Sequence, residues 1–283
     1  MKKILFPALA LTVLAVSCAK EVSLENGGTA NPNIIGNDCR ISSITYSDVA
    51  SGVGLGSVTA SIDVSDRAVD ITDFDSLNLT INKNIVPVYK NDTVYINANE
   101  YYLLSPTTLR VNQFHSLLDP TDPGSLQIDI VYTYNAGGAL VKKESFYSAS
   151  GISYAEVNYT YTGGNLTHME EIDLTSGVTV NDADVEYSSL QPKNYLYIFP
   201  DELKNPIVTQ FLNFGTRPVN AVSKINVRYY DLVGGTVLDS AVSTFSNYEL
   251  SADKYVLRCT MTGDDQPSLP AQAGRLSFKY KCK

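Results

Sequence analysis

A strand that ends in aromatic residues, breaks at a glycine-containing turn and restarts on Leu or Val recurs along this chain, and it constrains the fold more than any other feature. Ile128, Ile130, Tyr132 and Tyr134 alternate with Asp129, Val131 and Thr133, and are followed by Gly137, Gly138 and Leu140. Val157, Tyr159 and Tyr161 alternate with Asn158 and Thr160 ahead of Gly163, Gly164 and Leu166. Ile225, Val227 and Tyr229 precede Gly234, Gly235 and Val237, and Leu276, Phe278 and Tyr280 close the chain without a turn. A period of two places every second side chain on one face of a sheet, and glycine accepts the positive φ that tight turns require. Tyr134, Tyr161 and Tyr187 lie 27 and 26 residues apart, the length of two strands with their turns, so the repeating unit is a hairpin. Long patterns of helical period are lacking. The expectation is one all-β domain over residues 39–283, an antiparallel up-and-down meander that is strongly twisted and curls into a half-open barrel.

Two stretches depart from this pattern. Residues 190–215 carry Pro192, Pro200 and Pro206, and Pro200-Asp201-Glu202-Leu203 has the proline and acids that suit a first helical turn. One short helix is expected near 200–212, in a segment packed over one end of the sheet. Residues 50–75, Gly-rich at first and then dotted with aspartates, receive no clear assignment.

The N-terminus begins with Lys2 and Lys3, runs through an apolar stretch over residues 4–16 and ends in small residues before Cys18. This is the three-part layout of a secretory signal, too short to remain as a membrane-spanning helix. Ala15-Val16-Ser17-Cys18 resembles the lipobox of bacterial lipoproteins. The resemblance implies cleavage before Cys18, a diacylglycerol on its thiol, and membrane lipid as a partner through the acylated cysteine. Residues 1–17 are then the signal peptide and residues 18–38 a lipidated, flexible tether. A coil of that length spans on the order of 25 Å. Among such lipoproteins a residue other than Asp after the cysteine favours the outer membrane, and Ala19 stands there; Lys20-Glu21 resembles the surface-export signals of Bacteroidetes lipoproteins. The localisation implied is the cell envelope, lipid-anchored at the outer membrane.

Removing residues 1–17 leaves 19 basic and 30 acidic side chains, a formal charge of 19 minus 30, or −11. That balance makes nucleic acid and anionic lipid poor partners. With Cys18 committed to lipid, Cys39, Cys259 and Cys282 remain in a compartment that permits disulfides. Residues 254–262 and 274–282 read as two arms of one hairpin, which separates Cys259 from Cys282 by well over about 10 Å along the strands, beyond disulfide reach. Cys39 is then the partner of one of them, and Cys282 is favoured because that pairing clamps the first strand to the last.

No catalytic, cofactor-binding or metal-binding constellation stands out, and the chain reads as a non-enzyme. The two histidines, His115 and His168, lie in different strands without a second ligand at metal spacing. A Gly-x-Ser-x-Gly elbow, a phosphate loop and a Cys-x-x-Cys pair are all missing from the sequence. Asp63, Asp66, Asp70, Asp73 and Asp75 form the densest acidic run but lack the Asp-x-Asp-x-Asp-Gly order of a calcium loop, and read as solvated charge. Asp75-Ser76-Leu77, Asp92-Thr93-Val94 and Asp239-Ser240-Ala241 resemble the O-glycosylation motif of Bacteroidetes, which would place sugars on Ser76, Thr93 and Ser240. The chain has 19 tyrosines and no tryptophan; most of the tyrosines alternate onto apolar faces and read as core rather than as sugar platforms.

The Tyr-x-Tyr then Gly-x-Leu pattern resembles the YD-type repeats of RHS-like proteins and, more closely, Bacteroidetes cell-envelope lipoproteins of domain-of-unknown-function families. Cys39-Arg40-Ile41, Ile44-Thr45-Tyr46, the run from Asn220 through Ile225, and Phe278-Lys279-Tyr280-Lys281-Cys282 carry that resemblance. It brings no catalytic residues. The functional expectation is a non-enzymatic surface module that binds a glycan or an envelope protein. The alternatives are a structural or assembly lipoprotein of fimbriae or an outer-membrane complex, and an unrecognised hydrolase.

Overall fold

The computed structural model describes residues 39–282 except 64–66, 76–82, 120, 123, 194, 201–207, 209, 233–234 and 264–273. The expected signal peptide, Cys18 and the tether lie outside the described residues, as does most of the stretch expected to form a helix near 200–212. Val208 is the one described residue there with helical geometry.

The seventeen strands among the described residues all belong to one antiparallel sheet. The first eight are β1 (Arg40–Asp48), β2 (Gly54–Ile62), β3 (Ala68–Asp75), β4 (Lys83–Ile85), β5 (Val88–Lys90), β6 (Thr93–Tyr95), β7 (Tyr101–Leu104) and β8 (Val111–Leu117). Next come β9 (Gln127–Tyr134), β10 (Leu140–Tyr147), β11 (Ile152–Thr162), β12 (Asn165–Asp173) and β13 (Val178–Tyr187). The last four are β14 (Val222–Tyr230), β15 (Val237–Leu250), β16 (Val256–Gly263) and β17 (Gly274–Lys281). Apart from β4 and β5, each strand pairs with its neighbours in the chain, and β17 returns to pair with β1. Among the described residues no ladder joins β4 to β5, which follow one another across Val86 and Pro87; a proline cannot donate to a ladder. The twisted sheet therefore curls until its ends meet yet is not sealed into a barrel. Residues 50–75, unassigned from sequence, form most of the β1–β2 turn and all of β2 and β3.

The up-and-down order gives the sheet two ends, and one is covered. At this capped end Cys39 and Cys282 are joined by a disulfide with Cα atoms 4.0 Å apart. The segment between β13 and β14 also crosses this end. Its Asn213, Gly215 and Lys193 bridge to Arg110, Ala139 and Tyr255, which sit in or beside the turns that follow β7, β9 and β15. Asn220 exchanges hydrogen bonds with Asn165 at 2.9 and 3.0 Å, tying in the β11–β12 turn. From there the segment sends aromatic side chains onto the inner face of the sheet. Phe214, 2% exposed, meets Tyr132 at 5.2 Å and Tyr102 at 6.2 Å between ring centroids, and Phe199 meets Tyr159 at 5.5 Å. Gly215 has φ +87°, and a Cβ there would fall 2.2 Å from the Gly138 carbonyl oxygen, so only glycine fits.

Three tyrosines share one task at this end. The Tyr134 hydroxyl on β9 donates to the Val111 carbonyl at 2.7 Å, Tyr248 on β15 to Val222 at 2.7 Å, and Tyr280 on β17 to Val256 at 2.8 Å. In each case the acceptor is the first residue of the preceding strand. Tyr187 on β13 and Tyr89 on β5 lie near the backbone of Leu166 and Ala68. In the three hairpins of Tyr134, Tyr248 and Tyr280 the phenol satisfies a carbonyl at a strand start while its ring fills the core, and Tyr134 is one of the regularly spaced tyrosines. Burial pushes the Tyr89 hydroxyl up to about 12 and those of Tyr134, Tyr187, Tyr248 and Tyr280 well above the usual tyrosine value.

The other face of the sheet is polar. Outward positions include Thr59, Thr133, Thr160, Thr244 and Ser246, all exposed, and ion pairs stitch neighbouring strands. Lys142 lies 3.0 Å from Glu144 and 2.5 Å from Glu156, and Arg228 lies 2.6 Å from Asp182 and 2.9 Å from Asp184.

Candidate functional site

Cross-strand register decides what the inner face offers. Nearer the capped end, Tyr159, Met169, Ala183, Val227 and Ala241 are successive partners across β11 to β15, and all are buried. That row is apolar throughout. The next inner row, two residues farther from the cap, runs Lys143, Val157, Glu171, Asn181, Tyr229 and Asp239 across β10 to β15. Five of its six side chains are polar. Lys143 and Asn181 are buried, Glu171 and Tyr229 half-buried, and Asp239 exposed, so solvent reaches the inner wall on this side and not on the other. A core built for stability alone would continue the apolar row, because burying polar groups costs free energy unless partners are supplied.

The centre of this patch is well defined. Asn181 donates through Nδ2 to Glu171 Oε2 at 2.6 Å, while its own Oδ1 is buried without a hydrogen-bond partner. A buried acceptor left unmet calls for a donor. Tyr154, the extra residue at the β10–β11 bulge, stacks near Tyr147 with centroids 4.6 Å apart. Its hydroxyl is raised above the ordinary tyrosine value chiefly by burial, with Tyr147 and Glu171 adding and Ser145 and Lys143 opposing. A cation, a carboxylate, an amide and two phenols thus share one wall, a set suited to hydrogen-bonding a polar ligand against aromatic rings.

The histidines stand on the opposite, outward face. His115 Nδ1 lies 2.8 Å from Asp129 Oδ1, and His168 Nδ1 lies 2.8 Å from Asp184 Oδ1. Burial raises the Asp129 carboxyl, but hydrogen bonds from His115, Ser148 and Gln113 outweigh it and hold the group below the usual range. Asp184 is held low in the same way by His168 and Arg228 against the effect of burial. In the first pair the carboxylate, not the imidazole, sits at the centre, the reverse of the order a serine nucleophile needs. Among the described residues no three His, Cys, Asp or Glu side chains come together to hold a metal ion. Of the acidic run, Asp63 pairs with Arg67 at 2.9 Å, Asp70 and Asp73 lie along β3, and Asp66 is outside the described residues.

The remaining residues singled out from sequence are scattered. Cys39 and Cys282 lie at the capped end, and Cys259 is a buried free thiol whose pKa burial pushes up to about 12. Thr93 is half-buried on β6 and Ser240 exposed on β15, far apart in the meander; Ser76 and Cys18 are outside the described residues. Lys143, Tyr154, Glu171 and Asn181 were not singled out at all. Asn181 had a signal, since it occupies the inner frame of Ala183, Val185 and Tyr187 where an apolar residue is expected.

Two crystal structures share this fold. A porin-like protein from Bacteroides uniformis ATCC 8492 superposes with a TM-score of 0.56 at 12% identity, over 85% of this chain and 98% of that one. A porin-like protein from Bacteroides vulgatus ATCC 8482 superposes with a TM-score of 0.50 at 11% identity, over 86% and 99%. No family model and no curated protein matches the sequence. The likeness is one of fold: an all-β meander of nearly the same extent.

Proposed function

We propose that this chain is a lipid-anchored envelope protein that binds a glycan on the inner wall of its curled sheet, without turning it over. The observation that carries the reading is the abrupt change of the inner face, from the buried apolar row through Met169 and Ala183 to the polar row through Lys143, Glu171 and Asn181. Sugar hydroxyls both donate and accept. They match the open acceptor of Asn181, the donors of Lys143 and the phenols of Tyr154 and Tyr229. The lipobox-like Cys18 supplies the anchor, and the Bacteroides origin of both structural neighbours supports an envelope setting. Porin-like in those proteins' descriptions does not carry over as pore formation here. A transmembrane barrel needs an apolar outer band about 25 Å tall, whereas the outward face of this sheet is rich in threonines, serines and ion pairs, with only scattered exposed aliphatics such as Val131 and Leu257.

A glycan array followed by calorimetry tests this directly. A binding glycan is expected, with affinity falling at least tenfold, about 1.4 kcal/mol, in Asn181→Leu and Glu171→Gln while the melting temperature changes little. A protein that binds no glycan, or that binds one equally well in both variants, contradicts the proposal, as does hydrolysis of the bound glycan.

A further inference from the structure

The end of the sheet opposite the cap carries a second feature, independent of the inner wall. Four of its hairpin turns share one geometry, in which a glycine amide donates back to the carbonyl four residues earlier. Gly52 bonds Asp48 at 3.0 Å, Gly151 bonds Tyr147 at 2.8 Å, Gly177 bonds Asp173 at 2.7 Å and Gly235 bonds Asp231 at 2.8 Å. Those glycines have φ between 63° and 72°. Turn chemistry explains the glycine, and the aspartate that caps loop amides, as Asp48 does for Ser51 and Asp173 for Thr175. It does not explain the residue after the aspartate. That position is Val49, Leu174 and Leu232 in three of the four turns, each exposed. The fourth turn, at Gly151, is followed by Ile152, 62% exposed, and the neighbouring β8–β9 loop carries Leu126, 60% exposed.

These side chains form one surface. The β8–β9, β10–β11, β12–β13 and β14–β15 loops are consecutive hairpins, so at about 4.8 Å per strand their tips follow an arc of roughly 30 Å. Water-exposed aliphatic side chains gathered at loop tips in this way mark an interaction surface. Charge narrows the partner. Residues 48–53, 118–126, 147–152, 173–177 and 231–239 contain Asp48, Asp119, Asp122, Asp173, Asp231 and Asp239 but no Lys or Arg, and Tyr147 as their one aromatic residue. Loops that dip into bilayers carry Trp or Tyr and basic residues, so an anionic lipid surface would repel this one.

We infer that the loop tips opposite the cap are a docking surface for a second protein, one presenting an apolar surface flanked by Lys and Arg. Complementary charge would steer the encounter and exclude acidic partners, while the aliphatic tips supply the buried area. The anchor is compatible with this, because Cys39, where the tether ends, lies at the capped end.

Site-specific photo-crosslinking in the full-length, lipidated protein, in the cells that make it, tests the inference. A photoreactive residue would replace Ile152, Leu174 or Leu232 in turn, with Thr133 and Ser246 on the outer wall as controls. The expected result is one discrete protein adduct from the loop positions and none from the wall, with the crosslinked peptide rich in Lys or Arg beside apolar residues. Adduct yield should fall at least fivefold in Leu126→Asp/Leu232→Asp, whose fold is checked by an unchanged melting temperature. Adducts to lipid, to a second copy of this chain or to an acidic peptide would overturn the inference, and so would equal yields from the wall positions or no adduct at all.

Discussion

Raising the pH beyond about 11 unfolds the domain within roughly one to two pH units, and the tyrosines drive it. Tyr89, Tyr134, Tyr187, Tyr195, Tyr248 and Tyr280 are all raised above the ordinary value, in each case first of all by burial. A phenol whose folded pKa lies above its unfolded value of about 10 stabilises the fold fully below pH ~10, and that contribution is lost as pH rises toward the folded value. Each such group removes on the order of 1.4 kcal/mol per pH unit once the unfolded chain has ionised. Six acting together exhaust a typical stability of about 5–15 kcal/mol quickly. Absorbance at 295 nm, followed beside circular dichroism, reads the outcome. A first class of tyrosines should ionise near pH 10 with the fold intact, and a second should ionise only in the step that abolishes the dichroism. Smooth titration of all 19 tyrosines around pH 10 with unchanged dichroism would contradict the capped-end arrangement.

Phe214→Ala should lower stability by about 3–5 kcal/mol. The ring is 2% exposed and contacts Tyr102, Tyr132, Tyr197 and Phe199, so its removal opens a cavity where the covering segment meets the sheet. The backbone there is pinned on both sides: Phe214 N donates to the Tyr197 hydroxyl at 3.2 Å, and Gly215 N to Asn213 Oδ1 at 3.0 Å. The buried Arg217 guanidinium donates to the Tyr195 and Gln210 carbonyls and lies 4.0 Å from the centre of the Tyr197 ring. These ties prevent the segment from collapsing into the void, and the cavity cost is therefore felt in full. For a domain of this size the melting temperature should drop by roughly 6–20 °C. A change under about 2 °C would show that the segment between β13 and β14 is not packed as described.

The meander was legible because inward apolar residues alternate with mostly polar outward ones in β9 and, from Ile225 onward, in β14. The tyrosine spacing was legible too, but the task of Tyr134, Tyr248 and Tyr280 was not: the carbonyl that each of these three phenols meets lies about 24 residues away in the chain, and nothing local marks it. The polar inner row was hidden by bulges. The β11–β12 ladder shifts register between Thr160 and Tyr161, so the inner frame passes from Leu166 to Met169 and then Glu171. A strict period of two from Leu166 would face His168 and Glu170 inward and Glu171 outward. A bulge at Val69, opposite Ser61 and Ile62, breaks the frame of β3 in the same way, so that Ala68 and Ile71 are both buried and no simple period marks the stretch. The loop-tip surface was invisible for a different reason. Its residues are spread from Val49 to Leu232 and share one end only because every second turn of a meander does.

The account as a whole rests on the sheet standing in water, with its apolar side turned inward. Single cysteines at Thr59, Thr133, Thr160 and Ser246 on the outer wall, made in the lipidated full-length protein in native envelopes, test it most directly through their reaction rates with a charged maleimide. Cys39 and Cys282 are held in a disulfide and Cys259 is buried, so background labelling is low. The expected result is reaction at all four sites at rates typical of water-exposed thiols. Protection of the mid-strand sites, relieved only when detergent dissolves the membrane, would mean that the outer wall faces lipid, and the account would fail.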